Sequence, residues 1–229
     1  RNKFLSSKII NHGVSDEFRK KPKKQNPISN YSSSNPFKIL YVSNILPYKY
    51  HLNVINAVNQ LVIEGIPIKL TLVGEINSHK LGKKVNKLVN KVNSEKNIID
   101  WKQNITIDEV NYFYHSSDCF IFASSCENMP NILIEAMSAG CAIVCPSLAA
   151  LPETTSNFAL MYPHDEDKMQ HAHMFYQVLD AAIEGFWEED MQTKLQFQRL
   201  YTNTFYGWDL RSQEWEGLLR SISEQEKRT

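Results

Sequence analysis

The sequence predicts an α/β fold, a three-layer sandwich in which a mainly parallel sheet of about six strands lies between helices and is followed by C-terminal helices. Three observations predict it. Short apolar runs read as strands at residues 38–43, 68–74, 97–101, 119–123, 141–145 and 158–162. Stretches with helical spacing of apolar residues alternate with them, as parallel crossovers require. From residue 166 onward the pattern is helical to the end.

Taken in order, residues 7–14 read as a short strand ending at Gly13. Residues 15–36 are polar and rich in Lys, Asn, Ser and Pro, with a basic cluster at Arg19, Lys20, Lys21, Lys23 and Lys24. That cluster reads as a solvated loop, with contact to an anionic membrane surface as the alternative. The run at 38–43 reads as a central strand. The helix after it carries Leu52, Ile55, Val58, Leu61 and Val62 on one face and stops at Gly65. Residues 78–95 form a Lys-rich amphipathic helix with Leu81, Val85, Leu88 and Val92 inward. Thr106 is the expected N-cap of a short helix over 107–115. Pro152 and Glu153 start another short helix. Trp208 opens the last one, with Trp215 and Leu219 on the same face. His171 and His173 are two apart on a helix and do not share a metal easily.

The block from Ser124 to Gly140 carries the chemistry. Glu127 lies in the loop after the 119–123 strand. Pro130 stands where a first helical turn tolerates proline, and Glu135 follows about one and a half turns inside the helix. Ile132, Leu133, Ala136 and Met137 mark the apolar face. A helix N-terminus, here at Asn131 and Ile132, offers free N–H groups to phosphate. A carboxylate accepts two hydrogen bonds and suits vicinal hydroxyls. Loop carboxylate, helix N-terminus and helix carboxylate thus match a sugar, a diphosphate and a ribose in series.

Glu127 and Glu135 with seven residues between them, followed by Ala136, Met137, Ser138, Ala139 and Gly140, resemble the Glu-x7-Glu signature of the family 4 retaining glycosyltransferases. The resemblance implies the second, donor-binding half of a GT-B fold, built as a Rossmann-like domain. It implies a hexosyl transfer from a nucleotide-sugar, UDP- or GDP-linked, with retention, to a glycan or lipid-linked acceptor. No cofactor or metal is implied. In the family the first turn reads Gly-Arg-x4-Lys-Gly, and its Arg and Lys grip the diphosphate. Here Ser43 and Asn44 stand at the Gly-Arg places and Lys49 is kept, so one cation is missing. Gly74 matches a glycine near the donor. Trp101, Lys102 and Gln103 follow the strand after which family members read the base. The implied donor set is Ser43, Asn44, Lys49, Gly74, Trp101, Lys102, Glu127, Asn128, Met129, Pro130, Asn131, Ile132 and Glu135. Glu127 and Lys49 are the catalytic pair.

On this reading residues 1–36 are an extension and linker from an absent first domain, 37–206 the donor-binding domain, and 207–229 a helix that packs back on that first domain. The absent domain would hold the acceptor, and this part alone would turn over little or nothing. The chain opens Arg1-Asn2-Lys3 without a methionine, as a fragment of something longer would. Lys+Arg and Asp+Glu are both 25, so no global field favours nucleic acid. Cys119, Cys126, Cys141 and Cys145 have no zinc spacing, and three fall inside apolar strands, as in a reducing compartment. No run reaches the roughly 18 apolar residues that span a bilayer. Together these point to a cytoplasmic protein, peripheral to the membrane if the basic cluster touches it. The alternative is a non-catalytic nucleotide-sugar-binding or assembly subunit of the same fold. A dehydrogenase is disfavoured, since no Gly-x-Gly-x-x-Gly follows the first strand.

Overall fold

The computed structural model describes residues 7–226. Six parallel strands form one sheet: β1 (Phe37–Val42), β2 (Ile68–Val73), β3 (Ile99–Lys102), β4 (Cys119–Ile121), β5 (Ala142–Ser147) and β6 (Leu160–Pro163). Their spatial order is β3-β2-β1-β4-β5-β6. The helices are α1 (His51–Ile63), α2 (His79–Lys96), α3 (Ile107–Ser116), α4 (Asn131–Ser138), α5 (Leu151–Thr155), α6 (Lys168–Gly185), α7 (Glu189–Phe205) and α8 (Trp208–Glu226).

Alternate residues of the central strands β1, β4 and β5 feed two separate cores. Ile39 and Tyr41 pack with Val54, Val58 and Leu61 of α1 and with Phe175 and Leu179 of α6. Leu40 packs with Tyr114 of α3 and with Leu133, Ile134 and Met137 of α4. A strand covered on both faces needs apolar residues at successive positions, and this is why β4 and β5 read as continuous runs, whereas Lys69 and Thr71 alternate with the buried residues of β2. The order reverses between β1 and β4. The loops leaving those two strands therefore diverge to opposite faces and leave a crevice at the carboxyl ends.

Local chemistry sets the helix ends. Thr106 and Glu109 form a reciprocal capping box at α3. Asp167 caps α6 by accepting from the N–H groups of Met169 and Gln170. Asn97 ends α2 in the left-handed region, at φ 47°.

The expected strand over 7–14 is absent. Val14 makes a single bridge to Gly207, donating its N–H to Tyr206 O at 2.8 Å, and Ile9 is 89% exposed. Among the described residues no neighbouring strand lies alongside to give the segment a ladder. Gly13 instead lies under the Trp208 indole, where an added Cβ would come within 2.4 Å of the ring. The basic cluster is partly spent inside the fold. Lys23 pairs with Asp118, which also accepts from Tyr31 OH at 3.0 Å and Lys38 N–H at 2.8 Å. Arg19 pairs with Asp16, while Lys20, Lys21 and Lys24 stay exposed. Among the described residues no helix is long and apolar enough to cross a membrane. Burial pushes the Cys141 and Cys145 thiols up to about 12.

Two buried histidines make stability depend on pH. Burial is the main cause that lowers both His51 and His171 from 6.5 to about 4. Both are neutral in the fold, so unfolding takes up a proton at each below pH 6.5. Their contribution is fully present above pH 6.5 and is lost as pH falls towards 4, at up to about 1.4 kcal/mol per pH unit for each ring. Urea melts at pH 7.5, 6.0 and 5.0 should show falling midpoints, and His171→Phe should flatten the trend.

Candidate active site

Two loops form the crevice, one from β1 to α1 and one from β4 to α4. Their clearest link is an ion pair between Lys49 Nζ and Glu127 Oε1, with both side chains 12% exposed. Ser124 Oγ donates to the same Glu127 oxygen at 2.6 Å. The Lys49 ammonium also lies 5.1 Å from the Phe122 ring centre and 5.5 Å from that of Tyr48.

The main chain under this pair is bolted from the core. The Tyr41 hydroxyl, at the buried end of β1, lies 2.6 Å from Lys49 O and 2.7 Å from Ala123 O. It shares its one proton between the two loops. Ser125 N–H donates to Tyr48 O at 2.9 Å. Burial, which disfavours a phenolate, holds the Tyr41 hydroxyl well above its ordinary range.

A cavity of about 370 Å³ opens on the α3–α4 side of the Lys49 turn. Ser43, Asn44, Lys49, Gly74, Lys102 and Ile132 line it, all of them residues expected from the sequence. Gly74 is required there: its φ is +146°, and a Cβ would come within 2.2 Å of Ser43 O. Asn44 does not replace the missing cation. Its Oδ1 accepts from Glu75 N–H at 2.9 Å, and Ile45 N–H reaches Glu75 O at 2.7 Å, so the side chain stitches the β1 and β2 loops together. Glu75 itself lines the cavity and accepts from Asn104 N–H at 2.6 Å.

Glu127, Asn128 and Met129 line a second cavity of about 500 Å³, shared with His12, Ala149 and Glu153. The Lys49–Glu127 pair is the wall between the two spaces. Pro130 is the N-cap of α4, with no side-chain cap, so the N–H groups of Asn131 and Ile132 stay available at the rim. Glu135 follows Ile132 by three residues on the same face of α4. Its Oε2 lies 3.0 Å from Tyr114 OH, which is also 3.1 Å from Ile132 O. Burial raises the Glu135 carboxyl above its ordinary value, against the lowering effect of the Tyr114 hydrogen bond.

Pro130, Asn131 and Glu135 line neither cavity, and nor does Trp101. Its Nε1–H donates to Gly74 O at 3.0 Å and its ring packs against the α1–α2 core, outside both cavities. Tyr41, Tyr114 and Ser124 are the supports that sequence reasoning missed. A tyrosine inside a buried strand must find a partner for its hydroxyl, and that was the available signal for Tyr41. Among the described residues no group of three or more His, Cys, Asp or Glu side chains is arranged to hold a metal.

Comparison with known proteins places this geometry. The family model for glycosyl transferases group 1 matches residues 22–173, about two thirds of the chain. No curated protein sequence matches the chain. Among solved structures it is similar to Anabaena HepE in complex with UDP-glucose, with TM-score 0.74 and 16% identity over 93% of this chain and 57% of that one. A glycosyltransferase from Rickettsia africae gives TM-score 0.73 and 20% identity over 93% and 56%. Sucrose-phosphate synthase from Thermosynechococcus elongatus gives 0.73 and 16% over 95% and 53%. At these identities the likeness is one of fold, and the chain spans a little over half the length of each structure. The sheet order, the crevice and the family match agree, and the chain belongs to the glycosyl transferases group 1.

Proposed function

We propose that this chain is the donor-binding half of a retaining, family 4 glycosyltransferase, acting on a nucleoside-diphosphate hexose. The observation that carries the proposal is the Lys49–Glu127 pair, which sets a cation and a hydroxyl-binding carboxylate side by side at the uncapped start of α4. The similar Anabaena structures hold UDP and UDP-glucose, which fits a site of this kind.

In the proposed complex the diphosphate lies between Lys49 and the N–H groups of Asn131 and Ile132. Glu135 accepts from the ribose hydroxyls, and the base occupies the cavity near Lys102. Glu127 accepts from hydroxyls of the transferred sugar and orients the anomeric carbon. The largest rate contribution is electrostatic: fixed positive groups meet the charge that grows on the leaving diphosphate. The cation and the helix terminus do the neutralising, so the scheme calls for no metal. Residues 37–206 form the donor domain, 1–36 lead in from a first domain that holds a glycan or lipid-linked acceptor, and α8 packs back against that domain. Lys20, Lys21 and Lys24 remain free to touch an anionic membrane surface.

Calorimetric titration of UDP and GDP tests this. One of the two should bind at millimolar Kd or tighter, and Glu135→Ala should weaken it about tenfold, the loss of one charged hydrogen-bond acceptor. Failure of the complete protein to bind either nucleotide would overturn the proposal. Normal binding with no transfer to any acceptor would favour a non-catalytic subunit.

A further inference from the structure

We infer that Tyr50 is a positioning residue for Lys49, and that its stack on His171 fixes where the donor-site cation stands. The inference rests on the reading of Lys49 as that cation.

Tyr50 has φ 44° and ψ 30°, in the left-handed region. A side chain is unfavourable there because Cβ crowds the following carbonyl. It is also the place where the resembled motif has its glycine, directly after the lysine. A bulky residue keeps this conformation only where its surroundings over-determine it. The tyrosine ring lies on the His171 imidazole, centroids 3.8 Å apart and planes 19° apart.

His171 is itself pinned. It is fully buried, with Nδ1 3.0 Å from Asn53 Nδ2 and Nε2 3.2 Å from Tyr162 OH. Asn53 donates, so Nδ1 is the accepting nitrogen and the ring proton sits on Nε2, towards Tyr162. Asn53 N–H in turn donates to Tyr50 O at 2.9 Å. The first turn of α1, the first turn of α6 and β6 are thus joined around one aromatic stack. On its other side the Lys49 main chain is held by Tyr41, and Tyr48 by Ser125. A glycine would make this step a free hinge. Tyr50 makes it a fixed one, so Lys49 loses little freedom when an anion arrives. That preorganisation fits a turn with one cation where the motif has two.

The test compares Tyr50→Phe, Tyr50→Gly and Tyr50→Ala by UDP calorimetry. The Tyr50 hydroxyl has no side-chain partner among the described residues, so the Phe variant keeps the stack and should bind as the wild type does. The Ala variant keeps the strain without the ring and should bind about tenfold more weakly, with Gly between. On a Lys49→Ala background, Tyr50→Ala should add no further loss, because it acts through Lys49. Equal affinity in the Phe and Ala variants, or additive losses with Lys49→Ala, would overturn the inference. A nucleotide-free cycle separates this from failure of the functional reading. Lys49→Ala should lower Tm in the wild type and Tyr50→Phe but not in Tyr50→Ala. Additive Tm changes would overturn the inference even if no nucleotide binds.

Discussion

Lys49→Ala is expected to weaken nucleoside-diphosphate binding by about 10- to 100-fold, the equivalent of one charge-assisted contact of roughly 1.5–3 kcal/mol. Asn44 is committed to Glu75 N–H and does not take over its place in the turn. The expected effect of its partner has the opposite sign. Glu127 and Lys49 neutralise each other as an ion pair, so an arriving diphosphate must first draw Lys49 away. Glu127→Gln removes that competitor while keeping the side chain's shape. It should tighten UDP severalfold and at the same time depress transfer, because the carboxylate proposed to orient the sugar is gone. Calorimetry with UDP alone, set beside a transfer assay with the sugar donor, reads both. Weaker UDP binding in Glu127→Gln would show that the pair is not an exchange of partners.

Gly74→Ala is expected to cost about 3 kcal/mol or more of stability, a fall in Tm on the order of 10 °C. Two independent causes add at this residue. Its φ of +146° lies where side chains rarely go, and the new Cβ would meet the Ser43 carbonyl at 2.2 Å. Ser43 O cannot retreat freely, because it also lies 3.3 Å from His51 Nε2 at the start of α1. The displacement should therefore reach the Lys49 turn and lower UDP affinity as well as Tm. Gly65 is the control. Its φ is +102° but nothing lies within 4 Å of an added Cβ, so Gly65→Ala should cost only about 1 kcal/mol. Equal losses at the two positions would mean that conformation alone, and not the close approach to Ser43, makes Gly74 necessary.

The architecture was legible because it is written in short-range patterns. Apolar runs set the strands, and helical spacing set α1 and α2. Thr106 announced the start of α3 as its N-cap, and the structure adds Glu109 to complete the box. The false strand at 7–14 shows the limit of that method. Its apolar residues resemble a strand, but a strand needs a neighbour to pair with, and only the fold decides whether one is present.

At the site, Ser43, Lys49, Gly74 and Lys102 were named through the family resemblance and Ile132 through its place at a helix start, and the structure brings all five to one cavity. Their supports were not. Tyr41 bridges two loops whose carbonyls are 74 residues apart, from Lys49 to Ala123. Tyr114 reaches Glu135 from another helix, and His171 reaches Tyr50 from α6, which packs beside α1 on the same face of the sheet. Such contacts exist only after the sheet has closed. Trp101 donates to Gly74 O from the core side, and a half-buried indole beside a loop and one that props the loop up look alike in sequence.

The most direct measurement is a crystal structure of the protein with UDP bound. Lys49 Nζ should have left Glu127 for a phosphate oxygen, with the β-phosphate against the N–H groups of Asn131 and Ile132 and the ribose hydroxyls at Glu135. UDP seated elsewhere, with the Lys49–Glu127 pair intact and Glu135 still turned only to Tyr114, would contradict the proposed site.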